Sequence, residues 1–198
     1  MENDILIDFR FAAKEKPRFG ELFLITGEEH PKFPARNKAF AQLAPLGFEQ
    51  LDDFFGILNS EESGDDVLIW LFPMINGEEV FHNGGPFDAI RLSYSALRNA
   101  PATISLLQDC FNTLQALPDV EVEFEGVAIN DFAPVQKKAD EIVAHWRENH
   151  IEPGSEQSLL VDDDEADDDW EEDEDWDEDW DKDDDWDEEA SDGDKKEK

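Results

Sequence analysis

The sequence predicts an α+β fold, a single domain with an antiparallel or mixed sheet covered by helices on one side, followed by a disordered acidic C-terminal tail. Three observations carry that prediction. Several early segments alternate apolar and polar side chains, the period of a half-buried strand. Two later stretches repeat apolar residues at helical spacing, and the order of elements closes β-α-β-α after a run of strands and hairpins. Beyond Val161 the chain becomes Asp, Glu and Trp. A length of 198 residues most simply holds one domain plus an extension.

Residues 4–12 place Ile5, Ile7, Phe9 and Phe11 on one face and Asp8 and Arg10 on the other, a half-buried strand. Gly20 to Thr26 is expected as a second strand, apolar on both sides. Pro34 to Leu46 reads as a helix with Ala39, Phe40 and Leu43 inward, ended by Gly47. Residues 48–58 fit either a short strand or a helix. Val67 to Ile75 and Glu78 to His82 flank Asn76-Gly77, the dipeptide of tight hairpins. Pro73 marks that hairpin as having an irregular or edge strand.

Asn83 to Pro86 is a loop, and Phe87 to Ser95 alternates again through Ile90, Leu92 and Tyr94. Asn99 is placed to cap a helix with Pro101 in its first turn, and Ile104, Leu107, Phe111 and Leu114 form its apolar stripe. Pro118 closes that helix. Val120, Val122 and Phe124 then alternate with Glu121, Glu123 and Glu125. A last helix, capped by Asp131, lines up Val135, Ala139, Ile142 and Trp146. The periodicity stops at Glu152-Pro153-Gly154-Ser155. The boundaries expected are a folded domain over 1–152, a linker over 153–161 and a tail over 162–198.

Charge bounds the partners. The formal net charge is −37; from Asp162 to Lys198 there are 25 acids against four lysines, or −21, which leaves −16 on the rest. Both parts repel nucleic acid and anionic membranes, and both attract basic proteins. The tail has too few aliphatic residues to offset an ordering entropy of about 1–2 kcal/mol per residue, so disorder is expected. Within it Trp170, Trp176, Trp180 and Trp186 are separated by six, four and six residues. Even spacings put all four on one side of an extended chain. With the neighbouring Asp175, Asp177, Asp179, Asp181, Asp185 and Asp187 they imitate single-stranded nucleic acid, carboxylates standing for phosphates and indoles for bases. The competing reading is a solubilising tail. Arg10, Lys14, Lys16, Arg18, Lys32, Arg36 and Lys38 form the one basic cluster on which the tail could fold back.

Signals for chemistry are sparse. No nucleophile elbow, phosphate-binding loop, His-Glu-x-x-His or Cys-x-x-Cys motif occurs. Cys110, the single cysteine, lies by the apolar stripe of its helix and reads as a buried structural thiol in a reducing compartment. His145 and His150 do not share a helix face, and His30 reads as a solvated loop residue, so no metal site is expected. The N-terminus lacks a basic n-region, and the longest apolar run is nine residues, so a cytoplasmic protein is expected.

Ala44-Pro45-Leu46-Gly47-Phe48-Glu49 and, later, Val122-Glu123-Phe124-Glu125-Gly126 resemble the type B regulators of ribonuclease activity, protein inhibitors of ribonuclease E. The resemblance covers about residues 35–130. It implies a small acidic cytosolic protein with a ferredoxin-like α+β fold, an acidic tail and a ribonuclease for a partner. The chain departs from that pattern at Val127, where an aromatic commonly follows the strand glycine, and in its N-terminal strand pair and Trp-rich tail.

The function expected is therefore a non-catalytic interaction or regulatory protein that binds a basic, nucleic-acid-binding partner, needs no cofactor and binds no nucleic acid itself. Two alternatives stay open. One is an immunity- or chaperone-type protein that neutralises a basic protein through its folded face. The other is an enzyme without a recognisable motif.

Overall fold

The computed structural model describes residues 3–27, 40–51, 54–58, 67–80, 85–99, 103–155 and 157–158. Alternation sets the first element, β1 (Asp4–Phe11), with Ile5, Ile7, Phe9 and Phe11 buried. After it come a one-turn helix, α1 (Phe19–Leu22), and 3-10 turns at Phe23–Thr26, Phe40–Gln42 and Ala44–Leu46. Then follow β2 (Glu49–Leu51), β3 (Phe54–Leu58), β4 (Val67–Ile75), β5 (Glu78–Glu79) and β6 (Ala89–Ser95). The chain closes with α2 (Ile104–Gln115), β7 (Val120–Phe124), β8 (Val127–Ile129) and α3 (Ala133–Glu148).

The strands form one sheet in the order β2-β3-β4-β6-β1-β7-β8, with β5 also on β4, and every pair is antiparallel. Of the two sheet types predicted, the antiparallel one is found. The four central strands, β7-β1-β6-β4, run fourth-first-third-second in chain order, the order of a ferredoxin-like sheet. The β2–β3 hairpin extends it at one edge and β8 at the other.

Register converts the alternation of single strands into two faces. Phe55, Leu71, Leu92, Ile7 and Phe124 lie opposite one another across five strands, and all are buried. Ile90, Phe9, Val122 and Ile129 make a second buried row. Helices cover this face. Phe111 of α2 meets Phe9 edge-on at 5.8 Å and Phe132 at 5.4 Å, while Val135, Ala139 and Ile142 of α3 join the same core. At the other end Phe40 packs on Phe11 at 6.2 Å, and Phe19 and Phe23 pack on Phe55 at 6.1 and 6.0 Å.

Three expectations need correction. Gly20 to Thr26 is helical, because Leu22, Leu24 and Ile25 are all buried, which strand alternation does not deliver. The turn is closed by Glu21, whose carboxylate accepts the Arg18 N–H at 2.8 Å while its own N–H donates to the Arg18 carbonyl at 2.8 Å. The described part of the Pro34–Leu46 helix is two 3-10 turns that bury Phe40 and Leu43, ended as expected by Gly47 at φ 87°. Ala39 lies outside the described residues. Asn99 does not cap α2, whose N-cap is Thr103; it is buried and donates from Nδ2 to the Leu68 carbonyl at 3.0 Å, and Pro101 lies outside the described residues. The hairpin that Pro73 marks has an edge strand as expected: β5 pairs only with β4, on the side where β3 pairing stops at Leu71, and the Pro73 carbonyl accepts the Val80 N–H at 3.0 Å while proline has no N–H to return, so that short ladder ends there.

Other described elements match their sequence signals; of the strand expected over Glu78 to His82, Glu78–Glu79 forms β5, and residues 81–84 lie outside the described residues. Within residues 48–58, Glu49–Leu51 and Phe54–Leu58 are the strands β2 and β3. Asn76 and Gly77 have φ 55° and 87°, the left-handed pair that a tight hairpin demands. Asp131 accepts the Ala133 N–H at 2.9 Å at the start of α3.

Beyond α3 the chain turns back along the body. The Ile151 N–H donates to the Trp146 carbonyl at 2.9 Å and the Gly154 N–H to the Leu97 carbonyl at 2.8 Å. Of the stretch expected as a linker, 153–155 and 157–158 are described, and Pro153 and Ser158 are buried. The tail 162–198 lies outside the described residues.

Burial pushes the Cys110 thiol up to about 12 and also raises the Tyr94 phenol, against the hydrogen bond it shares with Thr103. A maleimide at pH 8 should therefore leave native Cys110 unlabelled and label it fully in denaturant. Both groups bind protons more tightly folded than unfolded, so their contribution to stability is complete below the ordinary thiol value of 9.0 and declines as pH rises from there toward 12. Phe111→Ala should cost about 3–5 kcal/mol in urea unfolding, since its ring joins the sheet to α3.

Candidate interaction face

Among the described residues no helix packs on the second face of the sheet. Its side chains alternate with the buried rows: Leu6, Asp8 and Arg10 from β1, Arg91 and Ser93 from β6, Trp70 and Phe72 from β4. Register puts Phe72, Arg91, Asp8, Glu123 and Ala128 in one line across five strands. Asp8 is thereby flanked by a base on one side and an acid on the other.

Arg91 grips Asp8 with a two-pronged bond, Nε to Oδ1 at 2.7 Å and Nη2 to Oδ2 at 3.0 Å. Its Nη1 lies 3.8 Å from Glu79 Oε1. Hydrogen bonding to Asp8 raises the Arg91 pKa although burial works against it. Arg10 bonds Glu123 and approaches Asp8 to 3.9 Å. Around this ladder is a concavity of about 350 Å³, lined by four carboxylates (Asp4, Asp8, Glu123, Glu125) and two guanidiniums (Arg10, Arg91). Each arginine already has a carboxylate partner, so the local field stays negative.

Toward the β3 edge the same face turns aromatic. Phe54 lies 4.5 Å from Trp70 and 5.7 Å from Phe72, and the Trp70 and Phe72 rings are nearly parallel at 6.0 Å. All three are half-buried. Two residues apart on one strand, Trp70 and Phe72 necessarily share a face. Opposite Trp70 is Gly56, where a Cβ would stand 2.7 Å from Leu51 Cδ1 and 2.8 Å from Val67 Cγ1. Trp146, by contrast, is an anchor, its indole N–H donating to Asn3 Oδ1 at 2.7 Å.

A second concavity, about 260 Å³, has Phe11, Phe40 and Leu117 as its floor and Glu15 and Asp119 among its lining.

The ten partner-binding residues expected from sequence, Trp170, Trp176, Trp180, Trp186 and the six aspartates from Asp175 to Asp187, all lie outside the described residues. Of the basic cluster, Arg10 is bonded to Glu123 and Lys16 donates to the Phe11 carbonyl; Lys32, Arg36 and Lys38 lie outside. His145 packs edge-on against Trp146 at 5.3 Å. Among the described residues no His, Cys, Asp and Glu side chains group into a metal site, and no helix is long and apolar enough to cross a membrane. Sequence reasoning missed the aromatic strip. Its signal is Trp70-Leu71-Phe72, which sits inside a continuous apolar run and so shows no alternation. No protein-family model and no curated protein matches this chain.

Asp8 holds the ladder together. Asp8→Ala leaves Arg91 with Glu79 alone, and with both side chains only about one-fifth exposed the loss should be about 1–3 kcal/mol in urea unfolding. Glu125→Ala, which removes the more exposed pair with Lys138, should cost under about 1 kcal/mol.

Proposed function

We propose that this is a non-catalytic interaction protein that binds a basic, nucleic-acid-binding protein and thereby regulates it. One observation carries the reading: the concavity on the open face of the sheet is lined by four carboxylates and two guanidiniums, on a chain whose net charge is −37. A field of that sign steers basic proteins to the face and repels nucleic acid. The tail adds a polyanion with four tryptophans, a chemistry that competes for grooves which bind single strands through basic residues and stacking platforms. The resemblance to the type B regulators of ribonuclease activity makes a ribonuclease one such partner.

A second reading is favoured by the same face: the folded body, rather than the tail, neutralises the basic partner. Deleting residues 162–198 separates the two. Most of the affinity disappears where the tail carries the binding and most remains where the folded face does.

A basic ribonuclease with a single-strand groove is a suitable probe. Association should slow steeply as salt rises, since steering between opposite charges is screened beyond about 8 Å at physiological ionic strength. Replacing Trp170, Trp176, Trp180 and Trp186 by Ala keeps the charge; mimicry predicts faster dissociation, about 1–3 kcal/mol for each indole seated in a base site, with association unchanged. Binding that is indifferent to salt, or tight retention of single-stranded RNA by this chain, would count against the proposal.

A further inference from the structure

The aromatic strip and the carboxylate ladder lie side by side on one open face, and a basic partner offers two cations that differ in how they use aromatic rings. Lysine brings a compact, strongly hydrated charge. Arginine brings a planar guanidinium that stacks on a ring while its N–H groups bond carboxylates. Resting on the proposed binding of a basic protein, we infer that Phe54, Trp70 and Phe72 with the adjoining carboxylates form a docking site for an arginine-bearing extended segment of that partner.

The geometry supports this occupant. Trp70 is half-buried, and its described ring partners, Phe54 and Phe72, hold it from one side of the sheet. Phe72 is directly across from Arg91, and Asp8 is the next strand along. At a spacing of about 4.8 Å per strand, the ring row and Asp8 are roughly 10 Å apart, a distance that alternate residues of an extended segment span with their side chains. A guanidinium over Trp70 then directs a second base toward Asp8 and, one strand further, Glu123, whose side chain is 32% exposed. Charge selects the site against the chain's own tail. The tail is −21 and meets a face with four carboxylates to two guanidiniums, so an external basic segment is the favoured occupant.

The test uses the full chain with Trp170, Trp176, Trp180 and Trp186 replaced by Ala, so that the indoles left are Trp70 and the anchored Trp146. Its affinities for an arginine homopeptide and a lysine homopeptide of equal length are compared at physiological salt. The arginine peptide should bind about three- to tenfold more tightly, the range of a partly desolvated cation–π contact. Trp70→Ala in that background should erase the difference while leaving the affinity for the lysine peptide unchanged, because the charge is unchanged. Trp70→Phe retains a ring and the strand packing and should keep most of the preference, which separates a lost docking contact from a damaged fold. The Trp70 indole N–H resonance should shift with the arginine peptide and not with the lysine one. A preference that survives Trp70→Ala, or that is absent once the tail indoles are gone, overturns the assignment while leaving the binding of basic proteins intact. Failure of both peptides to bind overturns the proposed function and this inference with it.

Discussion

Strand β1 is hydrogen-bonded on both sides, to β6 and to β7, and its strict alternation commits the sheet around it. With Ile7 opposite Leu92 and Phe124, a slip of one residue would turn Ile5, Ile7, Phe9 and Phe11 to solvent and bury Asp8 and Arg10. Burying those charges without good partners costs several kcal/mol each, so the register has one stable choice. The core, the helices that cover it and the polarity of the open face all follow from that constraint.

The same alternation explains why the open face is charged at its centre and aromatic at one end. β1, β6 and β7 carry polar residues at every outward position except Leu6 and Ala89, and register makes the Arg91–Asp8 and Arg10–Glu123 pairs from them. β4 carries Trp70 and Phe72 outward. An all-polar face would need no aromatic strip, and an aromatic strip without β1 beside it would have no carboxylates nearby. A basic protein finds both kinds of contact on one surface, within a field that already attracts it. Edge strands β2 and β8 are three residues each, too short to template pairing with another chain.

Helical turns between β1 and β2 show where local pattern loses to packing. Gly20 to Thr26 has strand-like composition, but Leu22, Leu24 and Ile25 all need burial against a sheet that is already complete on that side. A helical turn puts neighbouring residues into one core, and the Glu21–Arg18 hydrogen bonds close it. Asn99 follows the same logic. Its side chain reaches across to the Leu68 carbonyl, a contact 31 residues away that competes with any local capping role.

By itself the sequence determined the α+β class, the positions of β1, β4, β6, β7, α2 and α3, the Asn76-Gly77 hairpin and the burial of Cys110, because periods and turn residues are local signals written in adjacent side chains. It also fixed the charge, which depends on composition alone. Only the tertiary structure decided that the sheet is wholly antiparallel, that β4 lies inside it, that Arg91 rather than Arg10 takes the two-pronged hold on Asp8, and that Phe54, Trp70 and Phe72 share an open face. Those are relations between residues far apart in the chain. They are set by which strands become neighbours, and a one-dimensional pattern does not contain that pairing.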